Sequence, residues 1–125
     1  MISQNLLAVS YPRRLESPSG LSALINANGS LQRMDHHAVL LNLFLGTEIE
    51  GAPAAIYLRR KAAPMEIVPL LGPSSPAAIQ VDEHGLMTSG AWHGIQFRLS
   101  LVLAESASAW FWHILLKNVG TSAET

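Results

Sequence analysis

The chain contains no cysteine, which excludes a disulfide scaffold, thiol catalysis and thiolate metal sites. It also lacks the H-E-x-x-H zinc spacing, the G-x-S-x-G nucleophile turn and a glycine-rich phosphate loop. Motifs of these kinds are typical of catalytic centres that can be recognised from sequence. We therefore predict that the chain is not an enzyme on its own and holds neither a cofactor nor a metal.

Charge is scarce as well. Charged residues make up 14% of the chain, against about 25% in ordinary soluble domains, and the net charge is −1. A scattered, balanced charge predicts neither nucleic acid nor an anionic membrane as partner. No apolar run approaches the ~20 residues of a membrane helix, and the first residues do not resemble a signal peptide. We expect no membrane insertion by this segment and a cytoplasmic location.

Apolar residues are abundant, at 49% of the 125 residues. A domain of this length buries only roughly two thirds of its unfolded surface. The excess predicts a contiguous apolar patch of the kind that meets another domain or a second copy. A monomer with a merely apolar surface is the alternative.

The strongest structural signal lies in residues 92–120. Apolar side chains there take every second position in two runs: Ile95, Phe97, Leu99, Leu101 and Leu103, then Trp110, Trp112, Ile114 and Leu116. A period of two places such a row on one face of a strand. Small and polar residues separate the runs, which predicts an antiparallel hairpin. We expect Trp110 and Trp112 to belong to the core.

Other short strands are predicted from Leu21, Leu31, Ala54, Glu66 and Ala78 onward. Asn28-Gly29 favours a tight hairpin turn between the first two of these. Residues 35–46 fit a buried strand, which we favour, or a short helix that Asp35 caps and Gly46 ends. Residues 1–20 form a leader arm, with one short strand near Leu6 to Val9 as an option.

This spacing gives about eight short strands and at most one short helix. It predicts an all-β fold, an antiparallel β-sandwich, over residues 21–125.

Aromatic side chains are the best binding candidates, because their faces stack on sugar rings and anchor interfaces. Trp92, set among small residues and glycines, is the tryptophan that we expect a ligand to reach. The candidate carbohydrate contacts are Trp92, His93, Tyr57 and Arg59.

Histidines and carboxylates give weaker signals. His36-His37 beside Asp35, and His84 beside Asp82 and Glu83, supply metal-ligand types without ligand spacing. Pairs such as Glu48 and Glu50 have the residue types of glycoside hydrolysis. We interpret the histidines as turn or surface residues, and the carboxylate pairs Glu48/Glu50 and Asp82/Glu83 as solvated loop groups.

Several motifs together resemble a known family: Asn28-Gly29-Ser30, Asp35-His36, Leu41-Asn42-Leu43-Phe44-Leu45-Gly46, Glu50-Gly51-Ala52-Pro53, Tyr57-Leu58-Arg59 and Trp110-Phe111-Trp112. They resemble the β-sandwich region before the catalytic domain in the cellobiose phosphorylase and cyclic β-1,2-glucan synthase family of inverting glycoside phosphorylases. The likeness covers about residues 20–120. It implies a supersandwich-like, galactose mutarotase-like fold. In that family the catalytic residues lie in a following (α/α)6 barrel, so none is carried over to this chain.

The resulting functional prediction is a non-catalytic β-sandwich domain of a carbohydrate-active enzyme, similar to a glycoside phosphorylase or glucan synthase. The resemblance implies two partners, an (α/α)6 catalytic domain of the same parent chain and a glucan oligosaccharide. A stand-alone carbohydrate-binding module and a β-sheet homodimerisation domain are the alternatives.

Overall fold

The sequence segments with alternating apolar residues form strands in the structure. The computed structural model describes residues 10–42, 45–50, 54–83 and 85–125, and no helix occurs among them. The strands are β1 (Arg13–Glu16), β2 (Leu21–Ile25), β3 (Leu31–His36), β4 (Val39–Leu40), β5 (Tyr57–Arg60), β6 (Glu66–Pro69), β7 (Ala78–Asp82), β8 (Gly85–Trp92), β9 (Ile95–Leu103) and β10 (Trp110–Asn118). The predicted all-β fold is confirmed.

Three antiparallel sheets contain these strands. The front sheet has the order β1-β2-β3-β4, the back sheet β10-β9-β8-β7, and a short sheet consists of β5 and β6. Each four-stranded sheet is a meander, in which every strand pairs with its neighbour in the chain. The predicted hairpins β2–β3 and β9–β10 are both present, and Gly29 at the first turn takes a φ of 85°.

The front and back sheets pack face to face around the main core. Its buried side chains come from both layers: Leu15, Leu21, Ala23, Ile25, Leu31 and Met34 from the front sheet, and Val81, Leu86 and Leu101 from the back sheet. Burying apolar area on one face of each sheet is what holds a sandwich together, at roughly 25 cal/mol per Å².

A second core lies where the short sheet covers the same face of the back sheet. Val68, Leu70 and Leu71 pack there against Phe97 and Leu99 of β9. The buried hydroxyl of Thr88 in β8 donates to the carbonyl of Leu70 at 2.7 Å, which satisfies a polar group inside this layer. The front and short sheets thus share the inner face of the back sheet between them.

That cover becomes incomplete at β10. Leu99 is fully buried, whereas its cross-strand neighbour on the same face, Ile114, is 51% exposed. Trp110 and Leu116 on this face are 41% and 48% exposed. Trp112 is half-buried and touches both cores. The expectation that Trp110 is a core residue is therefore wrong, because its side chain is 41% exposed and belongs to neither core.

Two segments differ from their sequence-based interpretation. The leader arm carries β1, which pairs with β2 and buries Leu15 in the main core. The option of a strand near Leu6 to Val9 lies outside the described residues. In residues 35–46 the described part forms neither the buried strand that we favour nor the short helix, because β3 ends at His36 and the two-residue β4 is exposed, with Val39 at 64%. His37 and Ala38, with φ of 48° and 67°, turn β3 back into β4, while residues 43–44 lie outside the description.

The uncovered end of the inner face can be tested with two matched substitutions. Leu99→Ala should lower the free energy of unfolding by roughly 2–5 kcal/mol, since it opens a cavity in a closed core. Ile114→Ala on the paired position should cost about 1 kcal/mol or less, since half of that side chain is already in water. Urea unfolding followed by tryptophan fluorescence measures both, and similar losses would show that β10 is covered.

Candidate functional site

The turn between β8 and β9 presents two of the predicted contact residues at one end of the back sheet. His93 and Gly94 both have positive φ, 48° and 76°, the geometry of a type I′ hairpin turn. Trp92 pairs with Ile95 across this turn, and its half-buried indole packs against the second core. The imidazole of His93 meets that indole edge-on, with ring centroids 4.6 Å apart. Whether a ligand reaches Trp92 stays a prediction.

An open cleft of about 310 Å³ lies beside this turn. The structure brings three of the four predicted contact residues to its walls: Arg59, Trp92 and His93. Leu58 and Leu116 supply apolar surface to the same cleft. Tyr57, the fourth residue, is 59% exposed on β5 and does not line the cleft. The suggested role of these residues in sugar contact stays a prediction.

An ion network spans the cleft and ties three segments together. His93 Nε2 lies 2.9 Å from Oε2 of Glu66 on β6. Arg60 lies 3.5 Å from Glu66 and donates through Nε and Nη2 to the carboxylate of Glu124, at 2.9 and 3.2 Å. The amide of Lys61 donates to the carbonyl of Thr125 at 2.9 Å. These contacts hold residues 124–125 against the short sheet.

The network also sets the acidity of its two carboxyl groups. The hydrogen bond from His93, with the nearby charge of Arg60, lowers the pKa of Glu66. The hydrogen bond from Arg60 lowers the pKa of Glu124 in the same way. Both groups are therefore stabilised as anions at neutral pH. A carboxyl group held as an anion in this way is not poised as a proton donor.

Sequence reasoning missed Glu66, Arg60 and Glu124. Arg60 and Glu124 are 64 positions apart in the chain, and neither stands in a recognisable motif. Only the return of residues 119–125 to β5 brings them together. No local pattern carries that information, whereas Trp92 and His93 could be singled out because glycines flank them.

The other candidate groups lie elsewhere. His36 Nε2 is within 3.1 Å of the carbonyl of Ser19 and 2.8 Å of the hydroxyl of Ser108, so it links the front sheet to the β9–β10 loop. Asp82 accepts from the amide of Gly85 at 3.2 Å. In the ranges that the structure describes, no group of three or more ligand-type side chains is arranged to hold a metal ion. His84 lies outside those ranges.

A group of exposed apolar side chains lies on β10, and we call it the β10 surface. Its members are the exposed side chains Trp110, Phe111, Ile114, Leu115 and Leu116. They lie on both faces of the strand, since the even positions share the inner face of the back sheet and the odd positions the outer one. β10 is also the last strand in its sheet, so none of the described strands pairs with its outer edge.

Fold and surface together define a β-sandwich domain with an unusually bare apolar edge strand. A family model, described as the SOGP N-terminal domain, matches residues 24–125. The chain therefore belongs to the SOGP N-terminal domain family. No curated protein matches it. Within the described residues no helix is long and apolar enough to cross a membrane.

This match corrects the resemblance drawn from the sequence. The family is the SOGP N-terminal domain and not the cellobiose phosphorylase and cyclic β-1,2-glucan synthase family, so that assignment is wrong. That resemblance also led us to predict carbohydrate binding and a relationship to phosphorylases. The family match supports neither prediction. The motifs behind the resemblance are turns and strand rows, which many antiparallel sandwiches share.

The Arg60–Glu124 pair makes a testable prediction about the end of the chain. Glu124→Gln removes the carboxylate that Arg60 binds, so the amide of Lys61, bonded to Thr125, should lose protection against hydrogen exchange at pH 7. Because folding lowers the pKa of Glu124, its contribution is present at neutral pH and is lost as pH falls through that lowered value. We expect the two proteins to converge at acid pH, once Glu124 is protonated in the folded chain as well.

Glu105→Gln is the matched control, because Glu105 is exposed in the β9–β10 loop. It should leave the protection factor of Lys61 unchanged at every pH. Equal protection in the Glu124 variant and the unsubstituted chain at pH 7 would contradict the assigned role of the pair.

Proposed function

We propose that this chain is a non-catalytic β-sandwich domain that supports a longer protein by packing against it through the inner face of β10. The observation that carries the proposal is the inner row of Trp110, Ile114 and Leu116. This row continues the apolar face of the back sheet beyond the point where the chain's own cover ends. An exposed contiguous apolar patch of this kind marks an interaction surface.

Two further findings support the proposal. The family to which the chain belongs is described as an N-terminal domain, a term for one part of a longer protein. The cleft beside Trp92 has its carboxylates held in ion pairs, which favours a structural role over acid–base chemistry there. The expectation of a helical (α/α)6 partner remains a prediction, and so do the cytoplasmic location and the carbohydrate activity of the parent protein.

The test compares two substitutions of similar exposure on opposite faces of β10. Ile114→Glu puts a charge on the inner face, and Leu115→Glu puts one on the outer face; the two side chains are 51% and 63% exposed. In the 125-residue chain alone each should change the free energy of unfolding by about 0.5 kcal/mol or less. In the longer gene product that carries this domain, only Ile114→Glu should lower the melting temperature, by several degrees, because it would bury an unpaired charge.

Oxidative footprinting supplies an independent measurement. Trp110 should be modified at least five-fold more slowly in the longer gene product than in the isolated chain. Equal melting temperatures for the two variants, together with equal labelling of Trp110 in both proteins, would overturn the proposal.

A further inference from the structure

The turn between β2 and β3 contains the one Asn-Gly pair in the sequence, Asn28-Gly29. Asparagine is most prone to spontaneous deamidation when glycine follows it, because a residue without a Cβ leaves its backbone amide open to the preceding side chain. The folding role of this pair is that of a turn. Its chemical reactivity is a second property, and it depends on the bonds that the two residues make in the folded chain.

The fold requires both residues of the pair. Gly29 has a φ of 85°, and a Cβ there would lie 3.0 Å from Cδ1 of Ile79, so a side chain at this position would be strained and crowded. Asn28 accepts through Oδ1 from the amide and the hydroxyl of Ser30, at 3.0 and 2.7 Å. Its Nδ2 donates to the carbonyl of Glu48 at 2.8 Å. The turn therefore keeps a chemically labile pair for structural reasons.

Deamidation of this pair requires its two reacting groups to meet. The amide nitrogen of Gly29, after losing its proton to hydroxide, attacks Cγ of Asn28, and the side-chain nitrogen leaves as ammonia. The resulting succinimide takes up water and opens to aspartate or isoaspartate. Water is the only co-reactant, and a neutral amide becomes a carboxylate.

In the folded turn both reacting groups are held in other bonds. The amide of Gly29 donates to the carbonyl of Asn26 at 2.9 Å. The side chain of Asn28 would have to give up its bonds to Ser30 and Glu48 before it could swing over that nitrogen. Asn26, Gly29 and Ser30 are buried, so hydroxide has little access to the amide. The turn must therefore open before the reaction can occur.

We propose that Asn28 is a deamidation site that the folded β2–β3 turn holds back, so that its conversion records opening of the turn and then releases residues 47–50 from it. The release follows from the product. A carboxylate at position 28 still accepts from Ser30, but it cannot donate to the carbonyl of Glu48 and instead places an oxygen against it. This site does not involve β10, so the inference goes beyond the proposed function.

The first measurement needs no substitution. The 125-residue chain is kept at mildly alkaline pH, which favours deprotonation of the Gly29 amide, either in buffer or in concentrated guanidinium chloride. Peptide mass spectrometry then follows conversion at each asparagine. Asn28 should convert at least about ten-fold more slowly in the folded chain, because the reaction there waits for the turn to open. Equal rates in the two samples would overturn the proposal.

Asn118 is the matched control within the same samples. Its side chain makes bonds of the same kind, since it donates to the carbonyl of Ser122 and accepts from the amide of Gly120, both at 2.9 Å. However, Val119 follows it, and a β-branched side chain crowds the amide that would attack. Asn118 should therefore convert far more slowly than Asn28 in guanidinium chloride. Equal conversion of the two residues there would remove the special reactivity assigned to Asn28 and overturn the proposal.

A second variant tests whether the bonds of the turn provide the protection. Ser30→Ala removes the hydroxyl that Asn28 accepts from and should speed conversion in the folded chain by about 2–10-fold, as expected for the loss of one hydrogen bond. Ser17→Ala is the control. It removes a hydroxyl that donates to the carbonyl of Ala104, beside the opposite end of β2, and should leave the rate unchanged. An unchanged or slower rate in Ser30→Ala would overturn the proposal, because the hydroxyl would then not protect Asn28.

The consequence of conversion is tested with Asn28→Asp, which reproduces one product. The amide of Gly46 donates to the carbonyl of Gln32 at 2.8 Å, two residues before Glu48. Its protection against hydrogen exchange should fall by about 2–10-fold once the neighbouring bond is lost, whereas Asn118→Asp should leave it unchanged. Equal protection in Asn28→Asp and the unsubstituted chain would overturn the release of residues 47–50. Failure of any of these tests leaves the packing of the inner face of β10 untouched.

Discussion

The structure depends on how the inner face of the back sheet is covered. Two sheets cover it. The front sheet packs over Val81, Leu86 and Leu101, and the short sheet packs over Phe97 and Leu99. On β10 the two cores reach only Trp112, which is half-buried. β10 has the alternating apolar pattern of a buried strand. Its inner-face side chains Trp110, Ile114 and Leu116 are nevertheless exposed.

The cleft beside Trp92 follows from the same arrangement. It lies where the short sheet meets the end of the back sheet, and Arg60, Glu66 and His93 join the two there. Glu124 joins the network through its ion pair with Arg60. These polar contacts hold residues 124–125 and the β8–β9 turn against the short sheet, outside the two cores.

Much of the architecture could be predicted from the sequence, for local reasons. The period-two rows of residues 95–103 and 110–116, and the Asn28-Gly29 turn, encode strand pairing within a few residues of the chain. Whether a row is covered depends instead on segments far away. The sequence therefore identified the inner face of β10 correctly and misjudged Trp110. For the same reason the sequence did not reveal the ion network, although three of the four predicted sugar contacts line the cleft.

The family assignment shows the same limit. The motifs quoted for the resemblance are a hairpin turn, a sharp bend and an aromatic row, all of which antiparallel sandwiches need for their own stability. Such motifs report how a chain folds and not what its relatives do. The family model matches residues 24–125 and so combines the information of many positions. It therefore assigns the family more reliably than a few short motifs do.

The two meanders have a consequence for how the polypeptide matures. Each four-stranded sheet consists of consecutive strands, so its pairings are local and need little loop closure, whereas the contacts between layers join distant segments. During synthesis the front sheet leaves the ribosome first. Its apolar inner face stays exposed to solvent until the β9–β10 hairpin has also been released. We expect this interval, rather than the finished domain, to be the stage at which holdase chaperones bind and at which inclusion bodies begin.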